Sequence, residues 1–226
     1  MKKIVKALSI LMIFAIIPVL TACDNSKSKS NKNTPAKLDN INIEKVAEAY
    51  LNAYLGREVN YDETGLKKDD LQDYVYKRDY NIVNKYSAQD GKDEEILKAY
   101  YEGLKNVEFS IKSSDVREVT VAIKGINISE VENIVQTHMM KVKREKEITI
   151  EGLRSEGENK AIEALKAAPV LEEKEITLNF AKDSEDKLRV ADVSIQGIEN
   201  GLSYVEDNYK RFTGQVPEEF KKLEIK

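Results

Sequence analysis

Tryptophan is absent from the sequence, and cysteine and histidine occur once each, as Cys23 and His138. A lone cysteine excludes an intramolecular disulfide and any cysteine-rich metal site. A lone histidine leaves a zinc centre without the further nitrogen or sulfur donors it needs, so no metal and no cofactor are expected. Neither a Gly-x-Ser-x-Gly elbow nor a phosphate-cradling glycine loop occurs, which removes the common signatures of hydrolases and nucleotide binders. Lacking tryptophan, the chain has no indole platform for sugars, and a glycoside hydrolase is disfavoured. Positive charge is also in deficit: 36 Lys and Arg face 40 Asp and Glu, a net −4. That balance provides no basic stripe to neutralise phosphates, so nucleic acid is not expected as a partner.

What the sequence does have begins at its first residue. Lys2, Lys3 and Lys6 form a cationic start, and Ala7 to Leu20 follow as a largely apolar run. About 14 residues fall short of the roughly 20 needed to span a bilayer, but they suit the apolar region of a signal peptide. The run closes on Leu20-Thr21-Ala22-Cys23. This ending resembles the lipobox of bacterial lipoprotein precursors. The resemblance implies that residues 1–22 are a signal peptide and that the Cys23 thiol receives a diacylglyceryl group. It implies further acylation of palmitate type and residence on the outer face of the cytoplasmic membrane. Two or more acyl chains hold a protein firmly, whereas one binds only marginally. Loss of residues 1–22, with three lysines and no acids, takes the formal charge from −4 to −7. Residues 23–37 then comprise the lipidated cysteine and DNSKSKSNKNTPAK, in which nothing larger than Ala and Pro is available to bury. This stretch is expected to be a disordered tether of about 20 Å.

Residues 38–226 are expected to form one extracytoplasmic α+β domain. Ile43, Val46, Ala47, Tyr50, Leu51, Tyr54 and Leu55 follow helical spacing and end near Gly56. A second helix is expected from Asp69 to Tyr86 and a third from Asp93, with Ile96, Leu97, Tyr100, Tyr101 and Leu104 on one side. The period then falls to two. Val107, Phe109 and Ile111, then Val119, Val121 and Ile123, read as a hairpin with one buried face. Ser129 with Glu132, and Ser155 with Glu158, read as capping boxes for two further helices. A second hairpin pairs Ile176, Leu178 and Phe180 with Leu188, Val190, Val193 and Ile195, and its parity flip predicts a bulge near Ala191-Asp192. Ile198, Leu202, Val205, Tyr209 and Phe212 make the last helix. The fold class is therefore α+β: an antiparallel sheet of two hairpins packed against several helices, preceded by a helical N-terminal portion. The element order, with patterns such as Ala49-Tyr50-Leu51-Asn52-Ala53-Tyr54 and Asp186-Lys187-Leu188-Arg189-Val190, resembles nuclear transport factor 2-like and cystatin-like folds. It also resembles lipoproteins of Gram-positive bacteria that carry a domain of unknown function.

Candidate chemistry is sparse. His138 lies on an apolar stripe and reads as a hydrogen-bonded histidine at the edge of a core. Asp183-Ser184-Glu185-Asp186 fails as a calcium loop, because positions 6 and 12 from Asp183 are Leu188 and Ser194 rather than Gly and a carboxylate. Tyrosine placement is the unusual feature: nine of the eleven fall in the segment of the first three helices. Tyr50, Tyr54, Tyr100 and Tyr101 sit on apolar stripes and read as core. Tyr74, Tyr76 and Tyr80, beside Arg78 and Asp79, do not share one face and form the candidate binding surface.

These features point to a non-catalytic, lipid-anchored protein of the cell envelope that binds a small ligand or an envelope protein. The alternatives are a structural or interaction lipoprotein without a small-molecule pocket, and an envelope hydrolase. The anchor is directly testable. Replacing Cys23 with Ala should abolish lipid labelling and release the protein from the membrane fraction. Unchanged retention with no lipid label in either form would remove the lipobox reading.

Overall fold

The computed structural model describes residues 41–88, 91–183, 188–202 and 215–222, all within the unit Leu38–Lys226. The expected signal segment 1–22, Cys23, the expected 23–37 tether, and Val205, Tyr209 and Phe212 lie outside the described residues. The order of elements is α1 (Ile43–Tyr54), α2 (Lys68–Tyr86), α3 (Asp93–Leu104), β1 (Glu108–Ser114), β2 (Glu118–Lys124), α4 (Ile128–Glu145), α5 (Ile150–Lys166), β3 (Lys174–Lys182), β4 (Leu188–Val190) and α6 (Asp192–Leu202). A 3-10 turn, Phe220–Lys222, follows. The class is α+β, and the four strands pair antiparallel in the order β1-β2-β3-β4.

Register puts the large apolar residues of the four strands on one face. Phe109 pairs with Ile123, Val121 with both Ile111 and Ile176, Val119 with Leu178, and Phe180 with Val190. Val119, Val121, Ile123, Leu178, Phe180, Leu188 and Val190 are buried, while Ser110, Lys112, Glu175 and Thr177 on the opposite face stay exposed. α1 and α6 pack on the apolar face, and the α2–α3 and α3–α5–α4 contacts extend the helical layer sideways. One covered and one solvated face is the usual economy of an antiparallel sheet.

The helix starts are set by different residues from those the sequence pattern selects. Asn127 caps α4, its Oδ1 accepting the Glu130 N–H at 2.9 Å, and Thr149 caps α5 through the Gly152 N–H at 3.1 Å. Ser129 and Ser155 lie inside these helices instead of before them. Glu158 does not cap its own helix. It is buried and accepts the backbone N–H of Lys92 at 2.8 Å and of Ala88 at 3.4 Å, tying the loop before α3 to α5. α3 and α5 touch closely at Gly103, where any Cβ would strike the Leu165 carbonyl oxygen.

The expected bulge in the fourth strand does not exist. β4 ends at Val190 and α6 begins at Asp192. Ala191 still donates to the Asn179 carbonyl at 2.9 Å, but its own carbonyl already accepts from Ile195, in the first turn of the helix. The Asn179 N–H is taken by the Ser194 hydroxyl at 2.6 Å. The parity flip is thus a change of period from two to 3.6, and Ile195, Ile198 and Leu202 form the buried stripe of a helix. The Val193 side chain lies outside the described residues.

Candidate functional site

α2 carries an ion pair where its buried stripe calls for apolar residues. Leu71, Ile82, Val83 and Tyr86 are buried, and so are Arg78 and Asp79, at 7% and 4% exposure. The Arg78 guanidinium donates to Asp79 Oδ1 from Nη2 at 2.6 Å and from Nε at 2.9 Å. Its Nη1 donates to the carbonyl of Tyr54, the last residue of α1, satisfying one of the acceptors that a helix C-terminus leaves open. The positive charge also suits that end of the helix dipole. Tyr101 of α3 closes the unit: its hydroxyl donates to Asp79 Oδ2 at 2.8 Å and accepts from Arg78 Nη2. The guanidinium carbon lies 4.9, 5.5 and 5.7 Å from the ring centres of Tyr101, Tyr100 and Tyr54. Aromatic faces at these distances attract a cation.

Gly56 makes room for this arrangement. Its φ of 65° follows the end of α1, and the Tyr101 ring lies where a Cβ would project. A side chain here would carry both the left-handed backbone penalty and a clash with the ring. Burial pushes Asp79 above the ordinary carboxylate range, opposed by the guanidinium and by the Tyr101 hydroxyl. Burial would also favour a neutral Arg78, but the Asp79 charge and the surrounding phenols hold it above its usual value. Burial raises Tyr50 and Tyr101, and pushes Tyr100 up to about 12.

A cavity of about 450 Å3 opens beside this unit. Tyr101 and Asp79 form part of its wall with Leu97, Leu71, Val75 and Ala53. Tyr61, Tyr76 and Gln72 add polar atoms, and Arg57, Lys68 and Lys221 add cations. Phe220 also reaches it from the C-terminal 3-10 turn. The volume falls in the range of small-molecule sites.

The candidate surface of Tyr74, Tyr76, Arg78, Asp79 and Tyr80 is divided by the fold. Tyr76 and Asp79 line the cavity, and Tyr76 accepts a hydrogen bond from Gln72. Arg78 is buried behind it. Tyr74 turns toward α1, its ring 5.8 Å from that of Tyr50, and Tyr80 meets Phe220 at 5.2 Å. Both are half-buried against the core. The sequence pattern passed over Arg57, Lys68 and Tyr101 as site residues, although a charged pair in the apolar register of α2 was visible. His138 is half-buried and lies 3.3 Å from Glu156, between α4 and α5. Among the described residues no group of three or more His, Cys, Asp or Glu is placed to hold a metal, and no helix is long and apolar enough to cross a membrane.

No family model matches the chain. A search of curated proteins likewise returns no match. Among solved structures, the fold is similar to that of YcdA, a candidate lipoprotein from Bacillus subtilis subsp. subtilis str. 168. The match has a TM-score of 0.51 at 16% identity and covers 71% of this chain. It covers 56% of YcdA, so the chain accounts for little more than half of that protein's length.

Two measurements test the buried unit. Asp79→Ala strands the Arg78 charge and should cost about 3–5 kcal/mol in denaturant unfolding, whereas Arg78→Met with Asp79→Leu should recover most of that loss. Equal losses in both variants would show that the pair contributes through packing alone. In alkali, Tyr50, Tyr100 and Tyr101 should remain protonated near pH 11, where ordinary phenols of pKa ~10 ionise. Their folded pKa values are raised, so the stability they carry is complete below about pH 10 and lost as pH rises through the folded values. Three such groups steepen the loss by about 4 kcal/mol per pH unit above pH ~10. Tyrosinate absorbance that rises as one ordinary class in the folded protein would refute this.

Proposed function

We propose that this protein is a lipid-anchored, extracytoplasmic binding protein of the bacterial envelope. In this reading the cavity beside Arg78, Asp79 and Tyr101 holds a small ligand without transforming it. The single observation that carries the binding reading is a concave site whose polar groups are fixed before any ligand arrives. Asp79 and Tyr101 are held by hydrogen bonds to one another and to Arg78. Apolar walls with a few oriented polar groups are the general form of small-molecule sites, and fixed groups lower the ordering cost of binding. The anchor half of the reading rests on Leu20-Thr21-Ala22-Cys23 and is supported by the fold likeness to a candidate lipoprotein. The same reading has the chain cleaved before Cys23, acylated there, and attached to the outer face of the cytoplasmic membrane of a Gram-positive cell. A sheet with helices on one face also supports the nuclear transport factor 2-like or cystatin-like comparison.

The test uses the full chain isolated from its own membrane. Native mass spectrometry should find a small molecule bound, and an extract containing it should raise the melting temperature. Val75→Trp, which fills the cavity from its half-buried α2 wall, should abolish both effects while the protein stays folded. If no small molecule is retained and no extract shifts the melt, while crosslinking through Tyr76 captures an envelope protein, the interaction reading replaces this one.

A further inference from the structure

The cavity is unusual in its charge. The chain is acidic overall, at −4, yet the side chains around this opening include three cations, Arg57, Lys68 and Lys221, and one carboxylate, Asp79. Asp79 is already committed to Arg78 at 2.6 Å. Lys221 is paired with Glu218 at 2.9 Å. Arg57 and Lys68 meet no carboxylate among the described residues. Arg57 donates from Nη2 to the Val107 carbonyl at 2.5 Å, which steadies the guanidinium without neutralising it. Inside the opening, Tyr61, Tyr76 and Tyr101 present phenols, and Leu71, Val75 and Leu97 present hydrocarbon.

From this arrangement we infer that the cavity selects a small organic carboxylate with an apolar or aromatic body. The carboxylate sits at the mouth against Arg57 and Lys68, and the body reaches the tyrosine-lined interior. This specifies the ligand class of the binding reading above and rests on it. The division of labour follows from the chemistry. A guanidinium is weakly hydrated and offers several N–H donors in a planar fork, which matches a carboxylate. Phenol rings present apolar faces to the body, with hydroxyls at their edges for any polar substituent. A cationic ligand is disfavoured, because the one carboxylate in the wall has its charge balanced by a buried guanidinium.

Isothermal titration of the full chain in lipid nanodiscs, with empty nanodiscs as baseline, tests this. The titrants are 3-phenylpropanoate, indole-3-acetate and octanoate, each paired with its own neutral amide. At least one acid should bind about tenfold or more tighter than its amide, the factor expected from one charge-assisted hydrogen bond. The preference should shrink with added salt and disappear in Arg57→Gln combined with Lys68→Gln. Those exposed substitutions should leave the melting temperature near that of the parent. Equal binding of acids and amides, lost in Val75→Trp, would overturn the anion preference while leaving the cavity as a binding site. Failure of every titrant to bind, or an acid preference that survives Arg57→Gln with Lys68→Gln, would also overturn the inference. Neither result touches the separate test by native mass spectrometry.

Discussion

A buried guanidinium admits few solutions, and the α1–α2–α3 part of this fold is built around one. Among the described residues Arg78 meets no carboxylate from another element, and its charge is balanced by Asp79, its neighbour on α2. It also donates from Nη1 to the last carbonyl of α1 and from Nη2 to the Tyr101 hydroxyl of α3. Three helices are therefore referenced to one planar group. Desolvating such a pair costs several kcal/mol per ion, and only good geometry with every donor satisfied offsets it. The tyrosine rings of residues 54, 100 and 101 surround the cation and keep water out while still attracting it.

The same constraint shapes the cavity. Tyr101 belongs both to the charge unit and to the wall, and Gly56 allows its ring to lie across the end of α1. Asp79 likewise reaches the cavity while bound from behind by Arg78. Any ligand entering the cavity would meet groups whose rotamers are already fixed by hydrogen bonds to a second set of buried groups. Preorganisation of this kind is what a specific site requires of its supporting residues.

Most of the architecture was legible from periodicity, because one buried face on each strand and helix imposes periods of two and 3.6. Gly56 was visible as the end of α1, and the two apolar runs of β1 and β2 as a hairpin. Illegible were the features decided by competition between neighbours. Asn127 and Thr149 win the caps because the helices extend further back than their apolar stripes suggest. The end of β4 was misread because Val190 and Ile195 are buried under either period, and only the hydrogen bonds of Ala191 and Ser194 decide between them. At the site, the tyrosine-rich α2 drew attention to Tyr76 and Asp79, but adjacency in sequence also drew in Tyr74 and Tyr80, which pack against Tyr50 and Phe220. Arg57 and Lys68 gave no signal, since an exposed cation in a link or helix start looks like any solvated residue. Only the cavity between them and Tyr101 distinguishes them.

The tyrosines divide by what their hydroxyls face. Tyr50 is fully sequestered in the core, its oxygen near the Leu188 carbonyl at 3.5 Å, and burial accounts for its chemistry. Tyr61, Tyr76 and Tyr101 surround the cavity, two of them on α2 and α3 and one on the link between α1 and α2. A core selected for packing alone would be served at least as well by apolar residues at 78, 79 and 101, because well-packed hydrophobic replacements of buried ion pairs are often neutral or stabilising. On the proposed binding reading, a polar unit at that cost on the wall of the cavity has a use that packing alone does not supply. Local rules of burial are commonly broken at working sites and compensated elsewhere. Here the compensation lies in the α1 carbonyl and the three aromatic rings that make a buried arginine tolerable.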